Sequence, residues 1–238
     1  MKNKFINEIE IDWDFRDLDP EGKGAVKKID YNTHPKPWIF TEDKKIIQAF
    51  AHIHNGEPIV IPELDPTILY LTSAKNLLSE IIDLKEQLLE LAGVKNYIQT
   101  ADVFIKFFPR QSIFITSLFT ALEAFNNGQI PDEYTCRIKR KLYDKEKIQR
   151  YIKFNDKTEL IIPDIFKRSF VTDKKEEYES IKGIKKMRDD IIHTKNRGKG
   201  YAPSYSEIYK DSLSVDFEKV YRATVDYINY YKPNWIEE

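Results

Sequence analysis

The sequence predicts an all-α fold, a helical bundle that follows an irregular N-terminal arm. Three observations carry this. Apolar residues recur every three or four positions through most of the chain beyond residue 40, the period of a helix with one buried face. Cap-forming and chain-breaking residues separate those runs at helical intervals. No section is strand-rich, and no repeat or heptad run stands out. The 238 residues, 41% of them hydrophobic, can bury one large core or two small ones.

In order along the chain, Pro20, Gly22, Gly24, Pro35 and Pro37 break up residues 1–40. Ile9, Ile11 and Trp13 alternate with acidic residues as in a short extended segment, and Trp38, Ile39 and Phe40 are expected to pin the arm. Thr41 reads as a helix cap before Ile46, Ile47, Phe50, Ala51 and Ile53, with Asn55-Gly56 as the stop. Asp65-Pro66 starts a second helix, whose leucine stripe from Leu77 to Leu91 reads as core, or as a face for a partner helix. Residues 94–108 and 110–127 read as helices kinked or restarted at Pro109, the second being the most apolar in the chain and therefore central. Pro131-Asp132 opens a further helical region reaching Phe154, followed by a turn at Asn155-Asp156-Lys157 and a short helix or turn over Ile165 to Phe170. A helix from Asp173 to about His193, a loop from Lys195 to Ser206 and a last helix from about Ser214 to Tyr231 complete the chain. Two regions are expected: 1–94, of unassigned role, and a helical domain over 95–238.

Composition limits the function. A net charge of −1 draws no polyanion by a global field, so nucleic-acid contact requires a local basic patch. The single Cys136 excludes an intrachain disulfide and a cysteine-based zinc site, and suits a reducing cytoplasm. No signal core follows Met1, and no stretch reaches the roughly 20 apolar residues of a membrane span. A cytoplasmic protein without membrane contact is expected.

One stretch concentrates residue types suited to acid–base and anion chemistry: Arg188, Asp189 and His193 at a helix end, then Lys195, Arg197 and Lys199 on a loop with Gly198 and Gly200. Arg188 has Ile184, Ile191 and Ile192 as its helical neighbours, so its guanidinium leaves from the apolar side or its border. A cation there wants a carboxylate or an anionic ligand, and Glu123 on the apolar helix is the candidate partner. Arg188 and His193 point about 140° apart on an ideal helix. The basic loop suits phosphate contacts. The plainer alternative is a solvated helix end whose His is stabilised by the macrodipole.

The spacing Arg188-Asp189-x-x-x-His193 resembles the Arg-polar-x-x-x-His signature of the HEPN superfamily, and the apolar run from Ser112 to Asn126, with Leu122-Glu123-Ala124-Phe125, looks like that family's earlier helix. The resemblance covers roughly residues 95–235. It implies a four- or five-helix fold and, in many members, a metal-independent endoribonuclease of toxin, abortive-infection or phage-defence systems. Others are non-catalytic modules binding RNA or protein. It implies that His193 acts as general base or acid, Arg188 stabilises charge on the phosphorane, and Asp189 orients one of them. The implied partners are RNA, a second copy of the chain, and an antitoxin or nucleotidyltransferase. No cofactor or metal is implied.

Other candidates are weaker. His52-x-His54 on a helix would point its rings about 160° apart, poor for chelation, and His34 has no company. Arg137, Lys139 and Arg140 are placed to lower the Cys136 pKa, though no His lies near in sequence. Tyr201, Tyr205 and Tyr209 suit stacking on unpaired bases, or anchoring of the loop.

Overall fold

The computed structural model describes residues 38–40, 46–55, 57–194 and 204–237. The chain divides into two compact units, residues 1–65 and 66–238. Among the described residues the second unit is almost wholly helical, and no helix is long and apolar enough to cross a membrane.

The first unit holds a three-stranded antiparallel sheet: β1 (Trp38–Phe40), β2 (Ile46–His54) and β3 (Glu57–Pro62), in that order. This corrects the helix expected over residues 46–53. The chain turns after Asn55 from β2 into β3, where a helix stop was expected. Asn55 has φ 51°, as such a turn requires, and β2 pairs with β3 from Ala49↔Pro62 to His54↔Glu57. Thr41, the expected cap, lies outside the described residues.

The second unit is built on a helical hairpin. α1 (Pro66–Glu90) packs along α2 (Tyr97–Gly128), a helix of 32 residues, roughly 48 Å long. The unit boundary therefore falls before α1, not after residue 94, because α1 buries Leu71, Ala74, Ile81 and Leu84 in the main core, with Leu77, Leu78 and Leu88 packed against it. The leucine stripe is therefore core from Leu77 to Leu88, while Leu89 is exposed.

α2 runs unbroken through Pro109, which has no N–H for the helix ladder. The neighbouring carbonyls find side chains: Arg110 Nη1 donates to Lys106 O at 3.0 Å and Ser112 Oγ to Phe108 O at 2.7 Å. Asn96 caps α2 by accepting from the Gln99 N–H at 3.1 Å. Phe107, Phe114, Leu118, Leu122 and Phe125 are fully buried, so α2 is the central helix, as its apolar content predicts.

After α2 the expected helix is instead a hairpin, β4 (Cys136–Ile138) and β5 (Lys141–Tyr143), turned at Lys139 and Arg140 with φ 47° and 67°. Helix returns only at α3 (Lys145–Tyr151), capped by Asp144. The presumed turn at 155–157 is helical. α4 (Phe154–Asp156) runs into a π turn, Lys157–Ile161, then α5 (Ile162–Phe166). Ile130, Ile148, Ile152 and Ile161 form a small second core beneath the hairpin.

α6 (Phe170–Asp173) leads to α7 (Lys175–Ile192), then α8 (Ser206–Leu213) and α9 (Phe217–Tyr231). α8 has no counterpart in the sequence reading, although Ile208, Tyr209, Ser212 and Leu213 follow helical spacing. α7 and α9 pack on each other and on α2. A buried chain of hydrogen bonds ties these layers. Tyr227 OH donates to Asn126 Oδ1 at 2.7 Å, Asn126 Nδ2 to Thr158 Oγ1 at 3.1 Å, and Thr158 Oγ1 to Phe154 O at 3.0 Å.

Candidate functional site

α7 buries Tyr178, Ile181 and Ile184, with Met187 and Ile191 partly buried along the same stripe. That orientation turns Lys182, Lys185, Lys186, Asp189, Asp190 and His193 onto another flank, where they line a cleft of about 580 Å³. α8 and its approach supply Tyr205, Ile208, Lys210 and Asp211, and α4 supplies Asn155.

Of the residues singled out by sequence, Asp189 and His193 share this cleft and Arg188 does not line it. Arg188 turns inward. Its guanidinium carbon lies 3.7 Å from the centre of the Phe119 ring on α2, a cation–π contact, and its Nη1 meets Asp189 Oδ1 at 2.8 Å. Its Nε is buried and has no hydrogen-bond partner among the described residues. Asp189 is held from the other side by Lys185 Nζ at 2.7 Å. Asp189 thus orients the Arg and not the His.

His193 closes α7. Its backbone N–H donates to Asp189 O at 3.0 Å while its side chain is exposed. Its ring has no hydrogen-bond partner among the described residues. Lys195, Arg197 and Lys199 lie outside the described residues.

Glu123, expected as the partner of Arg188, does not take that role; the charge is met by the adjacent Asp189. Arg188 reaches α2 one turn earlier than Glu123, at Phe119. The field of Glu123 acts on Lys157 instead. Lys157 is only 1% exposed, and its Nζ donates to Asn127 Oδ1 at 2.7 Å and Gln149 O at 3.1 Å. Burial pushes its pKa down and the Glu123 carboxylate pulls it back up.

The cleft is not a basic trough. Lys182, Lys185, Lys186 and Lys210 face Asp189, Asp190, Glu207 and Asp211, so the formal charges of these eight cancel. Lys186 pairs with Asp211 at 2.9 Å, tying α7 to α8.

Of the three tyrosines near the basic loop, Tyr209 is an anchor, edge-on to Phe104 at 5.0 Å and Phe108 at 4.8 Å. Tyr205 lines the cleft, and Tyr201 lies outside the described residues. Cys136 is half-buried on β4, and its thiol pKa is raised by burial and then by Asp164, not lowered by its basic neighbours. His52 and His54 sit on a strand, where residues two apart share a face, so the helical argument against them does not apply. Among the described residues, however, no group of three or more His, Cys, Asp or Glu side chains is placed to hold a metal ion.

Compared with protein-family models, with curated proteins and with solved structures, the chain gives no match in any of the three.

Proposed function

We propose that this chain is a HEPN-like, metal-independent endoribonuclease whose cleavage site is the cleft at the end of α7. The observation that carries the reading is the delivery of His193 and Asp189 by one helix end to a cleft large enough for a nucleotide, with Arg188 bound to that same Asp189. In the reaction the ribose 2′-oxygen attacks the adjacent phosphorus and the bond from phosphorus to the 5′-oxygen breaks. The 2′-OH gives up a proton, the 5′-oxygen gains one, and the products are a 2′,3′-cyclic phosphate and a 5′-OH end. The nucleophile belongs to the RNA, so a metal-activated water is not needed. His193 moves one of the two protons, and the His193 of a second copy or solvent moves the other. Arg188 serves the phosphorane charge by turning out from Phe119, or positions Asp189 from below. A toxin–antitoxin or phage-defence setting, with a second copy of the chain and an antitoxin or nucleotidyltransferase as partners, belongs to this proposal.

A second reading, a non-catalytic RNA- or protein-binding module, is favoured by one observation: the guanidinium is committed to Phe119 and Asp189 and does not line the cleft.

The test is incubation of the protein with total RNA and tRNA in EDTA, beside His193→Ala and Arg188→Ala. The expected result is cleavage to 5′-OH ends by the unaltered protein and a loss of 100-fold or more, on the order of 10²–10⁴, in His193→Ala. Equal cleavage by all three proteins, or none by any, removes the enzyme reading.

A further inference from the structure

Charge that grows on a phosphorane needs a cation beside it, and Arg188 is held over Phe119 outside the cleft lining. α7 itself offers three other cations to the cleft: Lys182, Lys185 and Lys186. Their contacts separate them. Lys182 turns back to Glu179, and Lys186 crosses to Asp211 on α8. Lys185 reaches forward along the helix to Asp189, its Nζ 2.7 Å from Oδ2. Asp189 is one turn before His193, whose backbone N–H it accepts. Neighbouring turns set Cβ atoms about 5–6 Å apart, a span that one phosphate with a hydrogen bond on either side can fill. Lys185, Asp189 and His193 all line the cleft.

The charge count at this point is uneven. Asp189 meets two cations, Arg188 Nη1 on Oδ1 and Lys185 Nζ on Oδ2. One carboxylate against two cations leaves one positive charge in excess. Of the two, only Lys185 lines the cleft. An ammonium has three N–H donors, and Asp189 takes one of them. Its flexible stem lets the remaining two follow a phosphate oxygen without giving up the carboxylate.

We infer that Lys185 is a catalytic residue of the cleft, its ammonium donating to a non-bridging oxygen of the scissile phosphate as the 2′-oxygen attacks. Asp189 holds that ammonium in place, and Arg188 positions Asp189. Lys185 transfers no proton, so the two proton movements stay as given for His193 and its counterpart. This rests on the endoribonuclease reading above.

The test measures single-turnover cleavage of tRNA in EDTA, with protein in excess, for the full chain and for Lys185→Met, Lys185→Arg and the double variant Lys185→Met with Asp189→Asn. Circular dichroism verifies the fold of each. The expected result is a cleavage rate lowered about 10²–10³-fold in Lys185→Met, the loss typical of one donor to developing charge. The half-saturating protein concentration changes far less, because the contact strengthens in the transition state. Lys185→Arg, which keeps a cation, recovers most of the rate. The double variant stays as slow as Lys185→Met. Recovery in the double variant means that Lys185 only neutralises Asp189, and overturns the inference. Cleavage by Lys185→Met at the unaltered rate, with His193→Ala inactive, also overturns it and leaves the endoribonuclease reading standing. Absence of cleavage by the unaltered protein overturns both.

Discussion

Arg188 divides the two readings of the site because it is both packed and charged. Its guanidinium covers Phe119 and holds Asp189, so Arg188→Ala removes a contact worth about 0.5–2 kcal/mol together with any chemistry. Arg188→Met keeps an apolar stem over the ring and discards the charge. It is expected to change the urea midpoint little and to abolish cleavage if the charge serves the reaction; retained cleavage would make Arg188 architecture. Helical geometry in the sequence already separated Arg188 from His193, because five positions on a helix have a fixed angle. The identity of its partner was not legible. Which turn of α2 meets α7 is decided by packing, and one turn changes Glu123 for Phe119. Lys157 was hidden for the same reason, as a lysine near a presumed turn reads as solvated. Its pKa is lowered, so over the window from that lowered value up to about 10.5 the unfolded chain holds the proton more firmly than the folded one, and rising pH stabilises the fold. Lys157→Met lacks this term. The stability of the unaltered protein relative to the variant is therefore expected to rise as pH approaches about 10.5 in urea titrations.

At the scale of elements, the two hairpins mark where helical periodicity misleads. Ile46, Ile47, Phe50, Ala51 and Ile53 fit a helical face on paper, but the set is rich in β-branched and aromatic residues and ends in Asn55-Gly56, a strong hairpin signal. That hairpin was legible in the sequence. The second was not, because Lys139 and Arg140 take the left-handed conformation without the Asn or Gly that announces it. Their backbone is strained for non-glycine residues, so replacing Lys139-Arg140 by Asn-Gly is expected to stabilise the protein by about 0.5–1 kcal/mol, read as a higher Tm. α2, α7 and α9 were legible because each carries a long apolar stripe. α8 was not, being eight residues long and tied in by Lys186–Asp211 and the stacking of Tyr209. Half of the cleft wall depends on it, which is why the sequence showed the chemistry of α7 and not the cleft.

In the molecule as a whole, buried tyrosines join the layers and set a limit on alkaline stability. Tyr227 is fully buried and its pKa is raised well above 10, chiefly by desolvation; burial and Glu159 raise that of Tyr178, and burial raises that of Tyr231. In this window the folded state keeps protons that the unfolded chain gives up, so stability is expected to fall as pH rises above about 10, opposite in sign to the effect of Lys157. Circular dichroism against pH tests this. Tyr227→Phe leaves Asn126 Oδ1 buried without a donor and is expected to cost about 1–3 kcal/mol, although only one oxygen is lost.

The same hydrogen bond spans 101 residues of sequence, and Lys85 reaches Val215 O across 130. A chain being synthesised has made α1 and α2 long before the residues that satisfy them exist. Until α9 leaves the ribosome, Phe125 lacks the ring of Tyr227 and Phe114 that of Phe217. The helical unit is thus expected to mature only after α9 has been made, with its nascent form until then dependent on chaperones that shield apolar surface.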